Sequence, residues 1–255
     1  MTEEIQKRII ELFMKNVYGK KSDTSKSNPK HAGKEGHWLE KQMGVKPNNK
    51  SKADLMGYEC KNETTSKTTW GDWGPDYKIW ERDEYGIDRE KFMRIFGHNP
   101  KGYRYSWSGK PVPKIGHRLK KKNEFGTRTH IDTEGNVTFY YSYDEDMRND
   151  KRTIVPDNLR ENDLILQRWS AKKLRVHVDE KFNRLGWFKC SKGHNGYYDK
   201  IIFGNPTPFE DWISWVRNGD VYFDGGMYEG NNRPYNQWRS PNKFWNSLAV
   251  QTYPD

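Results

Sequence analysis

Residues 54–61 read Asp-Leu-Met-Gly-Tyr-Glu-Cys-Lys, and this octet restricts the fold more than any other stretch of the 255-residue chain. Alternate side chains of an extended segment leave opposite faces, so Glu59 and Lys61 share one side of a strand while Tyr58 and Cys60 take the other, apolar side. Gly57 supplies a bend that can return Asp54 to the charged face. Two carboxylates and an amine on one spot are costly to gather unless a divalent cation lies between the acids. Hard oxygen ligands suit Mg²⁺, which keeps several waters and accepts a phosphate oxygen. The competing reading is a solvated strand face with an ordinary ion pair.

Periodicity places this strand among other elements. Ile5, Ile9, Leu12, Phe13 and Val17 predict an amphipathic helix over residues 2–18, followed by a basic, Ser- and Gly-rich loop at 19–36. A short helix is expected at 37–44, stopped by Gly44, and another at 88–96 between Asp88 and Gly97. Residues 127–143 alternate around Glu134-Gly135-Asn136 and predict a hairpin. Strands are expected at 164–169, 173–178, 186–190, 197–204 and 220–224, a helix at 208–218, a long loop at 225–239 and a short helix at 241–248.

Only 33% of residues are hydrophobic, yet 11 Trp and 15 Tyr supply large buried areas with polar handles, so the chain can build an aromatic core. Lys and Arg outnumber Asp and Glu by 45 to 35, a net charge of +10, which suits a polyanionic partner, nucleic acid first. The mean hydropathy of −1.17 leaves no window near the roughly 18 apolar residues of a membrane span, so no membrane partner is expected. The acidic start, Met-Thr-Glu-Glu, does not resemble a signal peptide, and a cytoplasmic, nucleoid-associated location is expected. Two cysteines are too few for a disulfide framework, and the absence of a G-x-x-x-x-G-K-[ST] loop speaks against a nucleotide cofactor.

Upstream of the octet, Gly36-His-Trp-Leu-Glu40-Lys-Gln-Met-Gly44 gives G-x-x-L-E-x-x-x-G, and D-x-x-x-x-E-x-K follows. Together these resemble the catalytic core of the PD-(D/E)xK nucleases, within the group of MutH-like nickases and MvaI- and BcnI-type type II restriction endonucleases. The likeness covers about residues 33–63, and Ala53 stands where the superfamily has its proline. It implies an α/β (α+β) fold, a restriction-endonuclease-like core with a mixed central sheet flanked by helices, and a DNA-recognition lobe. It further implies Asp54 and Glu59 as Mg²⁺ ligands with the Cys60 carbonyl as a third, Lys61 orienting the attacking water, and Glu40 reaching the metal-bound waters. The implied reaction is in-line hydrolysis of double-stranded DNA to 5′-phosphate and 3′-hydroxyl ends by a protein that acts as a monomer, either cutting both strands or nicking one. A non-catalytic nucleic-acid-binding protein is the alternative from another class, and an RNA or structure-selective nuclease using the same metal site is a third.

The stretch 223–239 joins flexible backbone to side chains suited to base edges, and it loosely resembles the D-G-x and R-x-Y stretches of MutH-like nucleases. Asp224, Asn232, Arg233, Asn236 and Arg239 are the expected base readers. Lys120, Lys121, Lys122, Lys172 and Lys173 are expected on phosphates. His31 and Lys34 lie in the basic loop, where solvation is the simpler role. A sequential division is expected, with a catalytic lobe over about 1–150 and a recognition lobe over about 151–255.

Overall fold

A computed structural model describes residues 2–26, 28, 33–45 and 52–254; His31 lies outside them. Within these residues the chain begins with α1 (Thr2–Asn16), α2 (Lys34–Gln42), β1 (Glu59–Asn62), β2 (Lys67–Asp72), β3 (Tyr77–Lys78), α3 (Arg89–Phe96) and β4 (Ser106–Trp107). It continues through β5 (Phe125–Ile131), β6 (Val137–Asp146), α4 (Lys151–Ile154), β7 (Leu164–Trp169) and α5 (Ala171–Phe182). β8 (Trp187–Lys192), β9 (Tyr198–Gly204), α6 (Phe209–Asn218), β10 (Tyr222–Tyr228), β11 (Tyr235–Pro241), α7 (Asn242–Ser247) and β12 (Ala249–Tyr253) complete it.

Two compact units result. The first comprises Met1–Thr68, Arg175–Asp211 and Ser240–Asp255. Its sheet has the order β1-β8-β9-β12, with β1 parallel to β8 and the other pairs antiparallel, the mixed central sheet that the motifs imply. On one side of this sheet Tyr58, Cys60, Phe188, Cys190, Tyr198 and Phe203 pack with Ile9, Phe13 and Val17 of α1 and Leu39 of α2. α1 forms because its apolar residues recur at helical spacing, with Glu3 and Glu4 in the first turn and Lys15 in the last favoured by the helix dipole. On the other side lie Glu59 and Lys61, in register with Trp187 and Lys189 of β8. Trp187 meets the ring of Trp245 from α7 at 4.9 Å, and Phe182 of α5 meets it at 6.3 Å.

The second unit, Thr69–Leu174 and Trp212–Arg239, is dominated by antiparallel pairing. Its sheets have the orders β2-β11-β10-β4 and β3-β7-β6-β5. Trp169, Phe223 and Trp238 pack together with ring centroids 5.0–5.6 Å apart, so aromatics do supply the interior.

The division is therefore not sequential. A cut near residue 150 would separate β6 from β7, which are paired from Val137↔Trp169 to Tyr141↔Leu164. Parallel strands need a long crossover, and here the connection from β1 to β8 carries most of the second unit. The expected strand at 173–178 is instead part of α5, because Leu174, Val178 and Phe182 recur every four residues and are all buried. The expected loop at 225–239 is largely strand: β10 and β11 pair from Tyr222↔Arg239 to Gly226↔Tyr235. α2 begins at Lys34, three residues before the expected start, which moves Glu40 into its last turn. The Thr-rich stretch after Lys61 forms β2, and β12 adds an edge strand that periodicity did not indicate.

Candidate active site

The entry to β1 is a two-residue turn. Leu55 and Tyr58 exchange both backbone hydrogen bonds at 2.9 Å, and the central residues Met56 and Gly57 have φ of 51° and 89°. Left-handed conformation at both central positions matches the tight hairpin turn compatible with strand twist, and glycine adopts it without Cβ strain. The chain thus doubles back, and Asp54 Oδ2 accepts a hydrogen bond from the Cys60 amide at 3.1 Å.

Glu59 lies at the centre of the site and is 1% exposed. Its Oε1 accepts from Lys61 Nζ at 2.7 Å and from Lys181 Nζ at 2.8 Å. Its Oε2 is buried and has no hydrogen-bond partner. Lys61 Nζ also stands 5.1 Å from the centroid of the Phe182 ring. Burial raises the Glu59 carboxyl, but the ammoniums of Lys61 and Lys181 outweigh it and hold the group below its usual value. Burial, reinforced by the charge of Glu59, pushes Asp54 up to about 6 despite the two lysines. For Lys181 burial favours the neutral amine, yet the charges of Glu59 and Asp54 prevail and raise its value.

The structure brings together Asp54, Glu59 and Lys61 of the expected residues. Glu40 projects its charge toward Cys60 and Lys181, but no group of three His, Cys, Asp or Glu among the described residues is gathered tightly enough to hold a metal. The Cys60 side chain faces the apolar core, and burial pushes its thiol well up, so its backbone and not its thiol serves the site. A hard cation nevertheless fits the donor set. Asp54 and Glu59 offer oxygens close enough to influence each other's protonation, and the orphaned Oε2 lacks only a positive partner. Sequence reasoning missed Lys181. Its one local signal was helical periodicity ending at Phe182, masked by the Val-rich run before it.

The expected DNA-contacting residues are dispersed over the second unit. Arg239 Nη1 donates to Asp224 Oδ2 at 3.0 Å across β10 and β11, so these two expected readers pair with each other, while Arg239 Nε is buried without a hydrogen-bond partner. Arg233 is largely exposed, with one contact to Asp72 at 3.2 Å, and Asn232 is exposed beside it in the turn. Asn236 lies within β11, its backbone N–H donating to Asp72 Oδ1 at 2.8 Å. Lys120, Lys121 and Lys122 are exposed, Lys122 pairing with Glu145 at 3.2 Å. Lys172 is exposed, whereas Lys173 is tied to Asp76 at 3.0 Å and to the Gly74 carbonyl at 3.1 Å.

The sequence profile of the LlaMI restriction endonucleases matches residues 17–253. The chain belongs to this family. It is 42% identical over 270 residues to the type II restriction enzyme ScrFI of Lactococcus lactis subsp. cremoris, covering 97% of this chain and 98% of that relative. Its fold is similar to that of restriction endonuclease MvaI in complex with a cognate DNA substrate, with a TM-score of 0.62 over 98% of this chain and 96% of that one, at 14% identity. A type II restriction endonuclease of the MvaI-like group, expected from two short motifs, is thus shown at the level of family and fold.

Proposed function

We propose that the protein is a Mg²⁺-dependent, sequence-specific endonuclease that hydrolyses double-stranded DNA to 5′-phosphate and 3′-hydroxyl ends. The observation that carries this reading is Glu59, with one oxygen held by two lysines and the other buried without a partner. An unsatisfied buried acceptor costs about 1–3 kcal/mol, and a cation shared with Asp54 offsets that cost. When bound, the metal supplies positive charge to a phosphate oxygen and lowers the pKa of a coordinated water. Asp54 and Glu59 are the side chains that would hold it, with the Cys60 carbonyl as a third donor.

Lys61 orients the attacking water and, with Lys181, offsets the negative charge that builds on the phosphate in the transition state. The two ammoniums also keep Glu59 ionised while it is buried. Glu40 orients waters around the site. The ScrFI and MvaI likenesses support double-stranded DNA as the substrate. The test is incubation of the purified protein with plasmid DNA, with Mg²⁺ and with EDTA, followed by sequencing of the ends. Cutting at one short sequence, only with metal, is expected; binding without cutting under every divalent ion would favour a non-catalytic DNA-binding protein.

A further inference from the structure

The ribbon of β10 and β11 carries two rows of side chains. Along β10, Phe223, Gly225 and Met227 are buried, whereas Tyr222, Asp224, Gly226 and Tyr228 are half-buried. Directly opposed residues of an antiparallel pair share a face. The register Tyr222↔Arg239 and Asp224↔Gln237 therefore adds Arg239 and Gln237 to the outward row. Phe223↔Trp238 and Gly225↔Asn236 form the inward row, so Asn236, an expected reader, faces the interior. Asp224 and Arg239 remain accessible while paired, with 28% and 20% of their side chains exposed. The side-chain amide of Gln237 has no hydrogen-bond partner among the described residues.

A guanidinium lies on a tyrosine at each end of this outward row. Arg118 stands 3.6 Å from the ring centroid of Tyr222, and Arg104 stands 4.1 Å from that of Tyr228. Stacking takes up the flat face of each guanidinium and leaves its N–H edge for an anion. Neither has a carboxylate partner among the described residues. Six residues separate the two tyrosines, about 20 Å at roughly 3.3 Å per residue. That span is enough to straddle a major groove about 12 Å across, which admits a two-stranded ribbon.

We propose that the outward face of this ribbon enters the major groove of the bound duplex, where Gln237 reads a base edge while Arg104 and Arg118 hold phosphates on the two sides. The proposal rests on the double-stranded DNA reading above. Arg239 suits the two acceptors of guanine and Asp224 the amino group of cytosine, so together they fit one G·C pair. Gln237, directly across from Asp224, offers a donor and an acceptor on one amide and fits the neighbouring pair. Gly226 adds no side chain to the row, so the backbone there can approach the bases closely.

The experiment uses the full protein in Ca²⁺, to prevent cutting, with duplexes carrying its mapped cleavage sequence and every single base-pair change in it. Gln237→Ala, and Gln237→Met as a variant closer in size, are first checked by thermal melting. Each is expected to erase the penalty for changes at one base pair only, about tenfold or more in the parent, and to bind scrambled DNA as the parent does. Replacing each purine by its 7-deaza analogue removes the N7 acceptor, which lies in the major groove. The parent is expected to lose affinity several-fold at the pair that depends on Gln237. Arg104→Gln and Arg118→Gln are each expected to weaken cognate and scrambled duplexes alike and to lower the salt slope by about one unit; an unchanged slope in both would overturn their assignment to phosphates. Gln237 variants that melt normally and keep every parental penalty, or that lose affinity equally on all duplexes, would overturn the proposal and leave the endonuclease reading standing. A parent indifferent to 7-deazapurines throughout the site would do the same. Equal binding of cognate and scrambled duplexes by the parent would overturn the sequence-specific reading and this proposal with it.

Discussion

Lys181 Nζ lies 2.8 Å from Glu59 Oε1, although the two residues are 122 positions apart. The contact joins α5 to β1 and gives the carboxylate a second cation beside Lys61. Lys181→Ala is expected to lower the cleavage rate by at least tenfold and to cost about 1–3 kcal/mol of stability, the range for losing one partner of a buried charged group. Because the lysines hold the Glu59 carboxyl below its usual value, removing one moves the acid limb of the pH–rate profile upward. Cleavage rates across pH, set beside denaturant melts, check this. A variant with the parental profile would make Lys181 a bystander.

Asp54 makes the opposite contribution. Burial and the nearby Glu59 raise its carboxyl from 3.8 to about 6. The folded protein therefore binds the proton more tightly than the unfolded chain does, and stability falls as pH rises through this window. The penalty is absent below about 4 and complete above about 6, with a ceiling of about 3 kcal/mol. In EDTA, Asp54→Asn is expected to be more stable than the parent at pH 8 and equal to it near pH 4, while cleaving several orders of magnitude more slowly. Mg²⁺ should raise the melting temperature of the parent more than that of the variant. Urea unfolding at both pH values, with and without metal, measures each arm.

Much of the first unit was legible because its signals are local. Alternation in Tyr58-Glu59-Cys60-Lys61 is enough to separate a core face from a charged face, and the structure keeps both. The second unit carries such a local signal too: Asp88 and Gly97 bound α3 as capping chemistry predicts, with Asp88 accepting from the Lys91 amide at 2.7 Å. What was not legible depends on distant sequence. Val176 and Val178 favour a strand locally, yet burial of Leu174, Val178 and Phe182 on one side makes the segment a helix and brings Lys181 to Glu59. Composition nominated Asp224 and Arg239 as base readers, whereas neighbouring strands let them pair with each other. The parallel β1–β8 pair makes the first unit discontinuous, which no composition shift along the chain reveals.

Lys189 tests whether a lysine on the charged face of the sheet matters merely by being there. It is in register with Lys61, but its ammonium is fully enclosed, donating to Glu63 and, at 2.7 Å, to Asn246 Oδ1. Burial lowers its pKa even with Glu63 beside it. Lys189→Met removes the charge together with its desolvation cost, so stability should change by only about 1 kcal/mol and cleavage by a few-fold. Glu63→Ala strands the buried ammonium and should cost about 3–5 kcal/mol. Lys61→Met should fold but lose cleavage by orders of magnitude. Parallel melting and cleavage assays of the three variants distinguish an enclosed structural lysine from one that acts on the phosphate.

The final prediction separates reading from holding. Arg233 projects from the β10–β11 turn, where Asp72 is its side-chain partner among the described residues, and its planar fork can bond a guanine edge bidentately. Lys120, Lys121 and Lys122 are compact exposed charges without such geometry. Arg233→Ala is expected to lose about 1–3 kcal/mol on the cognate duplex and far less on scrambled DNA. Neutralising the three lysines should weaken both duplexes alike and flatten the salt dependence by about one unit of slope for each phosphate that is no longer neutralised. Arg239→Ala behaves differently from either, because it removes a hydrogen-bond partner of Asp224 as well as a cation; an added loss on Asp224→Ala that is absent in the Arg239→Ala background would show the two acting as one unit. The measurement is equilibrium binding in Ca²⁺ at several salt concentrations. Equal losses on both duplexes for Arg233→Ala would make the hairpin a phosphate clamp, and sequence reading would then belong to the aromatic segment between Trp70 and Trp107.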